Sequence, residues 1–359
     1  MRLMCAAAAV FAFAIGAAPA LAEDLEQATK AVKDATDEQL LKEFQRRFEA
    51  RKHRTRSTRD LVAPRRADAP LETVDEAALL QATRFASRTI YGTDDRKDFY
   101  LIGDEGVKAL ARASVALFES AATEPSSDKV SLKAKSLREV QKLCPGEKFE
   151  TQPSAAFCSG TLVSPDTVLT AGHCVREISN DDAISPLPEI RFVFGYWMQD
   201  AKSPPAAIPS QQVFAGREVI GGEMNDVKDW ALVRLDRPVP PGIAKPVSES
   251  EWSAAPVKKD QRVFVIGYPS GIPLKYAPGA HVRDTSSPGF FVANLDTFGG
   301  NSGSGVYDQA TRKLVGVLVR GDADYLHDKV NKCYRVHVCP SNGCRGEDVT
   351  RISVVQPRG

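Results

Sequence analysis

The sequence predicts an all-β protein of antiparallel sandwich or barrel type, preceded by a helical N-terminal extension. Two observations carry this. After Gly92, short β-branched or aromatic runs alternate with Gly, Pro, Asn and Asp, a rhythm of many strands and tight turns that suits antiparallel sheets and not a βαβ fold. Between residues 23 and 86, by contrast, apolar residues recur at helical spacing among charged ones.

The chain opens on Arg2 and an alanine-rich apolar stretch over residues 6–18. Ala20, Leu21 and Ala22 then place small residues at the two positions a signal peptidase reads. Residues 1–22 therefore read as a secretory signal, cut before Glu23. A retained anchor fits less well, because the apolar run is short for a bilayer and Glu23 and Asp24 follow at once. In the extension, residues 23–87, Leu25, Ala28, Val32, Leu40, Leu41, Phe44 and Phe48 give the helical pattern. The stretch 46–66 is strongly basic and reads as a solvated helix running into a linker. A propeptide cut within it, or a patch for an acidic surface, are the sharper alternatives. Val74, Ala77, Leu80 and Phe85 share a face of a second helix over 73–86. The expected strands are 113–118, 160–164, 167–171, 190–194, 230–235, 263–267, 290–293, 314–319 and 352–355, with Ser164-Pro165-Asp166 turning a hairpin between two of them.

A chain of 359 residues accommodates two compact domains and an extension. Its 43% hydrophobic and 26% charged content is that of a soluble globular protein, and a net charge of +1 gives no global argument for nucleic acid or an anionic membrane as partner. Of seven cysteines, Cys5 leaves with the signal. The six that remain, Cys144, Cys158, Cys174, Cys333, Cys339 and Cys344, suggest three disulfides in an exported chain. A zinc site over Cys333, Cys339 and Cys344 is the competing reading, but it lacks a tight Cys-x-x-Cys pair.

Three segments carry chemistry: Thr170-Ala171-Gly172-His173-Cys174, Asp229-Trp230-Ala231-Leu232, and Gly299-Gly300-Asn301-Ser302-Gly303-Ser304. Taken together, and in the order His, Asp, Ser, they resemble the chymotrypsin-like serine peptidases, over about residue 88 to the C-terminus. The resemblance implies two perpendicular antiparallel β-barrels within 88–359, the first over about 100–240 and the second over about 255–359, with a catalytic cleft between them. It also implies a Cys158–Cys174 disulfide beside the histidine. Closing so short a loop is worth roughly 3 kcal/mol in lost unfolded-state entropy.

The residue types suit the roles the resemblance assigns. A serine hydroxyl is a weak nucleophile and needs a base, and an imidazole with an unperturbed pKa near ~6.5 can take its proton at working pH. Among five histidines only His173 stands in such a motif. A buried Asp229 fixes the imidazole tautomer, Asp226 being a weaker competitor because no apolar strand follows it directly. Ser302 is the nucleophile, Ser304 the less favoured alternative, and the backbone N–H groups of Gly300 and Ser302 are the implied oxyanion hole. Standing alone, the Gly/Ser-rich loop would carry no such meaning.

One position departs from the trypsin branch. An Asp there precedes the nucleophile and pairs with a new N-terminal amine; here Asn301 stands in its place, as in bacterial branches that include glutamyl endopeptidases. Activity is therefore expected to be independent of that ion pair, and any inhibition by the extension to be steric. Asp296, six residues before Ser302, matches the floor of the primary specificity pocket and predicts a weak preference for Arg or Lys before the cut. Thr297 matches a position that glutamyl enzymes use to hold an acidic side chain, and Arg320 is expected either to neutralise Asp296 or to bind an acidic residue itself. The sequence thus predicts a secreted or periplasmic serine endopeptidase acting on protein or peptide substrates, with no metal or organic cofactor implied. A silenced protease-like binding module and glutamyl-type specificity are the alternatives, and a third reading makes the basic extension the working part.

Overall fold

The computed structural model describes residues 89–179, 185–253, 255–321 and 324–356. The expected signal, the extension and its helices lie outside the described residues.

Six strands close the first barrel: β1 (Ser114–Glu119), β2 (Cys158–Ser164), β3 (Thr167–Thr170), β4 (Ile190–Val193), β5 (Val213–Met224) and β6 (Asp229–Leu235). Their order is β4-β5-β6-β3-β2-β1, and β1 pairs back onto β4 through Leu117 and Phe192. Six more close the second: β7 (Arg262–Gly267), β8 (Lys275–Asp284), β9 (Phe290–Ala293), β10 (Gly305–Asp308), β11 (Leu314–Arg320) and β12 (Glu347–Arg351). These run β7-β10-β11-β12-β9-β8 and return to β7. All twelve pairings are antiparallel, so the fold is two antiparallel β-barrels of the chymotrypsin-like type.

The two-residue side-chain period explains the packing. In β7, Val263 and Val265 face the core inside the second barrel, while Phe264 and Ile266 join the apolar cluster that fills the first barrel and continues between the two. A strand buried on both faces reads as an unbroken apolar run, which is why 263–267 was legible.

Three local outcomes differ from expectation. The segment 352–355 was expected to be a strand, but Ile352–Val354 forms a 3₁₀ turn and the strand is β12, which begins at Glu347 and Asp348. Two buried acids broke the apolar pattern there. A helix, α1 (Glu105–Ala113), was not anticipated; Asp104 caps it by accepting the Val107 N–H, and Val107, Leu110, Ala111 and Ala113 bury one face. A hairpin, Tyr325–Asp328 with Cys333–Val336, stands beside the second barrel.

The segment entering the domain forms a strap. Ile90–Tyr91 pairs in parallel with Val338–Cys339, and Lys97–Asp98 adds to β8. Between them the buried Arg96 guanidinium lies 4.3 Å over the Phe298 ring. Buried Lys275 is neutralised by Asp98 at 2.7 Å and bonded to Gln152.

Cysteines pair as Cys144–Cys333, Cys158–Cys174 and Cys339–Cys344. A Cys144→Ala/Cys333→Ala variant, which frees the hairpin from the body, is expected to lose about 2–5 kcal/mol of stability. Chemical denaturation beside the parent protein measures this.

Candidate active site

His173 follows β3 on a 3₁₀ turn, Gly172–Cys174. The turn is fixed from three sides. Cys174 is bonded to Cys158 at the start of β2. Gly172 sits where a Cβ would come within 2.9 Å of Glu223 O and 3.0 Å of Asp229 Oδ1, so the Gly before the histidine is a steric requirement. The third restraint is Asp229 itself, the first residue of β6. Its Oδ1 accepts the His173 backbone N–H at 3.1 Å and its Oδ2 lies 2.8 Å from Nδ1.

Asp229 is buried. Burial pushes its carboxyl pKa up, but the His173 imidazole and its hydrogen bonds, with Arg320 farther off, bring it net below the ordinary carboxylate value. With the Nδ1 proton directed at Asp229, Nε2 is left as an acceptor, and Ser302 Oγ stands 2.8 Å from it. The barrels are locked together at this point by Thr350 of β12, whose hydroxyl donates to Asp229 O at 2.9 Å.

The Ser302 loop depends on two glycines in the left-handed region. Gly300 has φ +87°, and a Cβ there would meet Tyr268 O at 2.7 Å; Gly303 has φ +89° and would meet Ser159 O at 2.0 Å. Ser159 ties the loop to the first barrel, its Oγ donating to Gly300 O at 2.7 Å and its N–H to Ser302 O at 2.7 Å. Ser270 N–H donates to Gly299 O. In a trans peptide the N–H points opposite to its C=O, so the Gly300 N–H is turned away from Ser270, and it has no acceptor among the described residues. Asn301 is buried and its Oδ1 accepts the Ser304 hydroxyl at 3.2 Å. Ser304 is thereby occupied and fully buried, whereas Ser302 faces the imidazole.

The three residues expected to bind substrate do not form one cluster. Asp296 is buried and its Oδ1 accepts the Tyr91 N–H at 2.7 Å. Its pKa is raised to about 7, first by burial; the Tyr91 N–H and Arg96 oppose this, and Asp95 and Asp94 add to it. Thr297 donates its hydroxyl to buried Glu347 at 2.9 Å, and Tyr91 OH reaches the other oxygen of the same carboxylate at 3.2 Å. Arg320 does not neutralise Asp296: it is bonded to Asp226 O at 3.1 Å and lies 3.7 Å from Asp348 Oδ2. The reason is register, since Arg320 is paired with Asp348 on β12.

Sequence reasoning missed Ser159, Ser270, Asp324, Glu347 and Thr350. Ser159 lies inside the Cys158-Ser159-Gly160 strand and Thr350 next to the end of β12, and nothing in their own neighbourhoods marks them.

Residues 158–317 match the family described as the trypsin-like peptidase domain. No curated protein matches the chain. Among solved structures, a Glu endopeptidase is 18% identical with a TM-score of 0.42, over 74% of this chain and 95% of its own. The Rv3671c protease of M. tuberculosis, in an inactive form, is 15% identical with a TM-score of 0.37, over 70% of this chain and 90% of its own.

Removing the disulfide that pins the histidine turn, as Cys158→Ala/Cys174→Ala, is expected to cost about 3 kcal/mol in stability. The predicted kinetic signature is a lowered kcat at temperatures where the variant remains folded, read from steady-state hydrolysis beside a melting curve.

Proposed function

We propose that this protein is an exported serine endopeptidase acting through His173, Asp229 and Ser302. The observation that carries the proposal is the unbroken relay from Asp229 Oδ2 to His173 Nδ1 and from Nε2 to Ser302 Oγ, each step 2.8 Å. As Ser302 Oγ attacks the scissile carbonyl, its proton passes to Nε2, and Asp229 stabilises the imidazolium that results. The carbonyl oxygen becomes an oxyanion, with the N–H groups of Gly300 and Ser302 as its donors. His173 then returns the proton to the departing amine, leaving an acyl-enzyme on Ser302. Water, deprotonated by the same imidazole, releases the acid product. The nucleophile, the base and the oxyanion donors in these steps all belong to the chain.

Three disulfides support an oxidising compartment and so support export. The intact relay favours an active enzyme over a silenced binding module. Digestion of a peptide library by the mature protein, with fluorophosphonate labelling mapped to Ser302, tests the proposal. Absence of both cleavage and labelling rejects it.

For specificity, the carboxylates of Asp296 and Glu347 are both buried, and Thr297 spends its hydroxyl on Glu347. This arrangement favours a cationic side chain before the cut over an acidic one. Asp296 Oδ2 accepts no hydrogen bond among the described residues, which leaves it for that cation. Because the Asp296 pKa stands at about 7, the group is neutral below that pH and charged above it. The ratio of kcat/KM for a Lys substrate to that for its Ala counterpart is therefore expected to rise through about pH 7, effects common to both substrates cancelling in the ratio. Asp296→Asn should flatten the rise. A ratio that is flat in the parent protein removes Asp296 from the specificity site.

A further inference from the structure

We infer that Asp324 is a positioning residue that holds the oxyanion-binding peptide in its working orientation, an inference that rests on the serine-peptidase reading. The difficulty it solves lies in the sequence. Gly299 and Gly300 are consecutive glycines, so the peptide between them turns with little steric resistance. Half a turn would replace the Gly300 N–H with the Gly299 carbonyl and present a lone pair where the developing oxyanion needs a donor. Something must fix both peptides that flank Gly299.

Asp324 Oδ2 accepts the Gly299 N–H at 2.8 Å, a bond to a carboxylate and hence among the stronger kind. The next residue completes the clamp. The Tyr325 ring stacks on Phe298 with centroids 5.2 Å apart, and its hydroxyl is 2.6 Å from Ser270 Oγ. Ser270 is the residue whose N–H holds the Gly299 carbonyl, and it does so from φ +49°, a conformation unfavourable for a residue with a Cβ. Its carbonyl is held in turn by Ser154 Oγ at 2.6 Å. The dipeptide Asp324-Tyr325 thus fixes the N–H of Gly299 directly and its C=O through Ser270. The dipeptide is itself anchored, because His337 N–H donates to Asp324 O at 2.9 Å and the hairpin it opens is tied to the body by Cys144–Cys333. The bonds named here hold the peptides on either side of Gly299 and not the Asp229–His173 pair, so the clamp acts on oxyanion binding separately from proton transfer.

The test compares the parent protein with Asp324→Ala and Asp324→Asn on a peptide the parent cleaves, using a peptide boronic acid as a tetrahedral probe. Asp324→Ala is expected to lower kcat by about 100-fold, the effect of losing one oxyanion donor, with KM nearly unchanged. Affinity for the boronic acid should fall in parallel, while the pH at which activity rises stays put. Asp324→Asn keeps an oxygen acceptor for the Gly299 N–H and should recover most of the loss. Parent-like kcat in Asp324→Ala overturns the inference, as does a loss carried by KM alone. If Asp324→Ala does not fold, Asp324→Asn decides: retained kcat and boronate affinity support the acceptor role, and loss of both overturns it. A parent protein that neither cleaves nor labels overturns the peptidase reading and this inference with it.

Discussion

Ser302→Ala is expected to lower kcat by about 10⁶-fold while leaving the melting temperature within a degree or two of the parent. The size follows from geometry. Among the described residues, Ser302 Oγ is the hydroxyl bonded to the imidazole, 2.8 Å from Nε2, and its neighbour Ser304 is fully buried with its hydroxyl given to Asn301. No second nucleophile can take over. Stability is spared because the loop is held by backbone and by Ser159, not by the Ser302 side chain. Single-turnover hydrolysis with a sensitive substrate, beside a thermal melt, measures both quantities. Substantial remaining turnover would refute the assignment.

Asp229→Asn has the second largest expected effect, a fall in kcat of about 10⁴-fold at neutral pH. The two oxygens of Asp229 have different partners, and this fixes how an amide would sit. The oxygen that accepts the His173 backbone N–H must remain an oxygen, so the amide nitrogen is placed against Nδ1. An N–H there forces Nδ1 to accept and moves the ring proton to Nε2, where it blocks receipt of the Ser302 proton. Fold should survive, at some cost in stability. The sign can be stated: Asp229 has a folded-state pKa below its unfolded value, so the stability it lends is present above the unfolded value near 3.8 and is lost as pH falls through the folded one. The variant should accordingly differ from the parent in melting temperature at neutral pH and converge with it in acid. A kcat that falls less than tenfold would mean that Asp229 does not set the tautomer.

How much of this was legible in the sequence depended on where each residue's partners lie. His173, Asp229 and Ser302 sit in short motifs whose neighbours, Gly172, Cys174, Gly300 and Gly303, record the local constraint, so the three motifs taken together and in order pointed to them. Asp324, Ser159 and Thr350 act across separations of 25, 141 and 121 residues. Their own surroundings are ordinary, and only folding reveals their task. Among strands, most of those buried on both faces were found, the short β10 and the acid-bearing β12 being exceptions, but the long β5 and β8 were not. Gly221 and Gly222 interrupt the apolar pattern of the first, and Pro278 and Gly279 that of the second. In both the interruption is a bulge: pairing shifts between Val219 and Gly221 in β5, and opposite Pro278–Gly279 in β8, where Gly279 has φ +85°. The expectation that Arg320 neutralises Asp296 failed for the complementary reason, since strand register sets it against Asp348.

Because Tyr91 caps Asp296 and Asp98 is the counter-ion of Lys275, the first described residues are wired into the region proposed to set specificity. A truncation that reaches Thr89 already removes a contact of the described body, since its hydroxyl donates to His337 O. One step past Tyr91 strands the Asp296 carboxylate without its donor, and going through Asp98 leaves an interior ammonium unneutralised, at about 3–5 kcal/mol. On the proposed reading, an amino terminus created by trimming is expected to form no ion pair at Asn301, whose Oδ1 accepts the Ser304 hydroxyl. On that reading, readiness to cleave is expected to be independent of any newborn amino terminus.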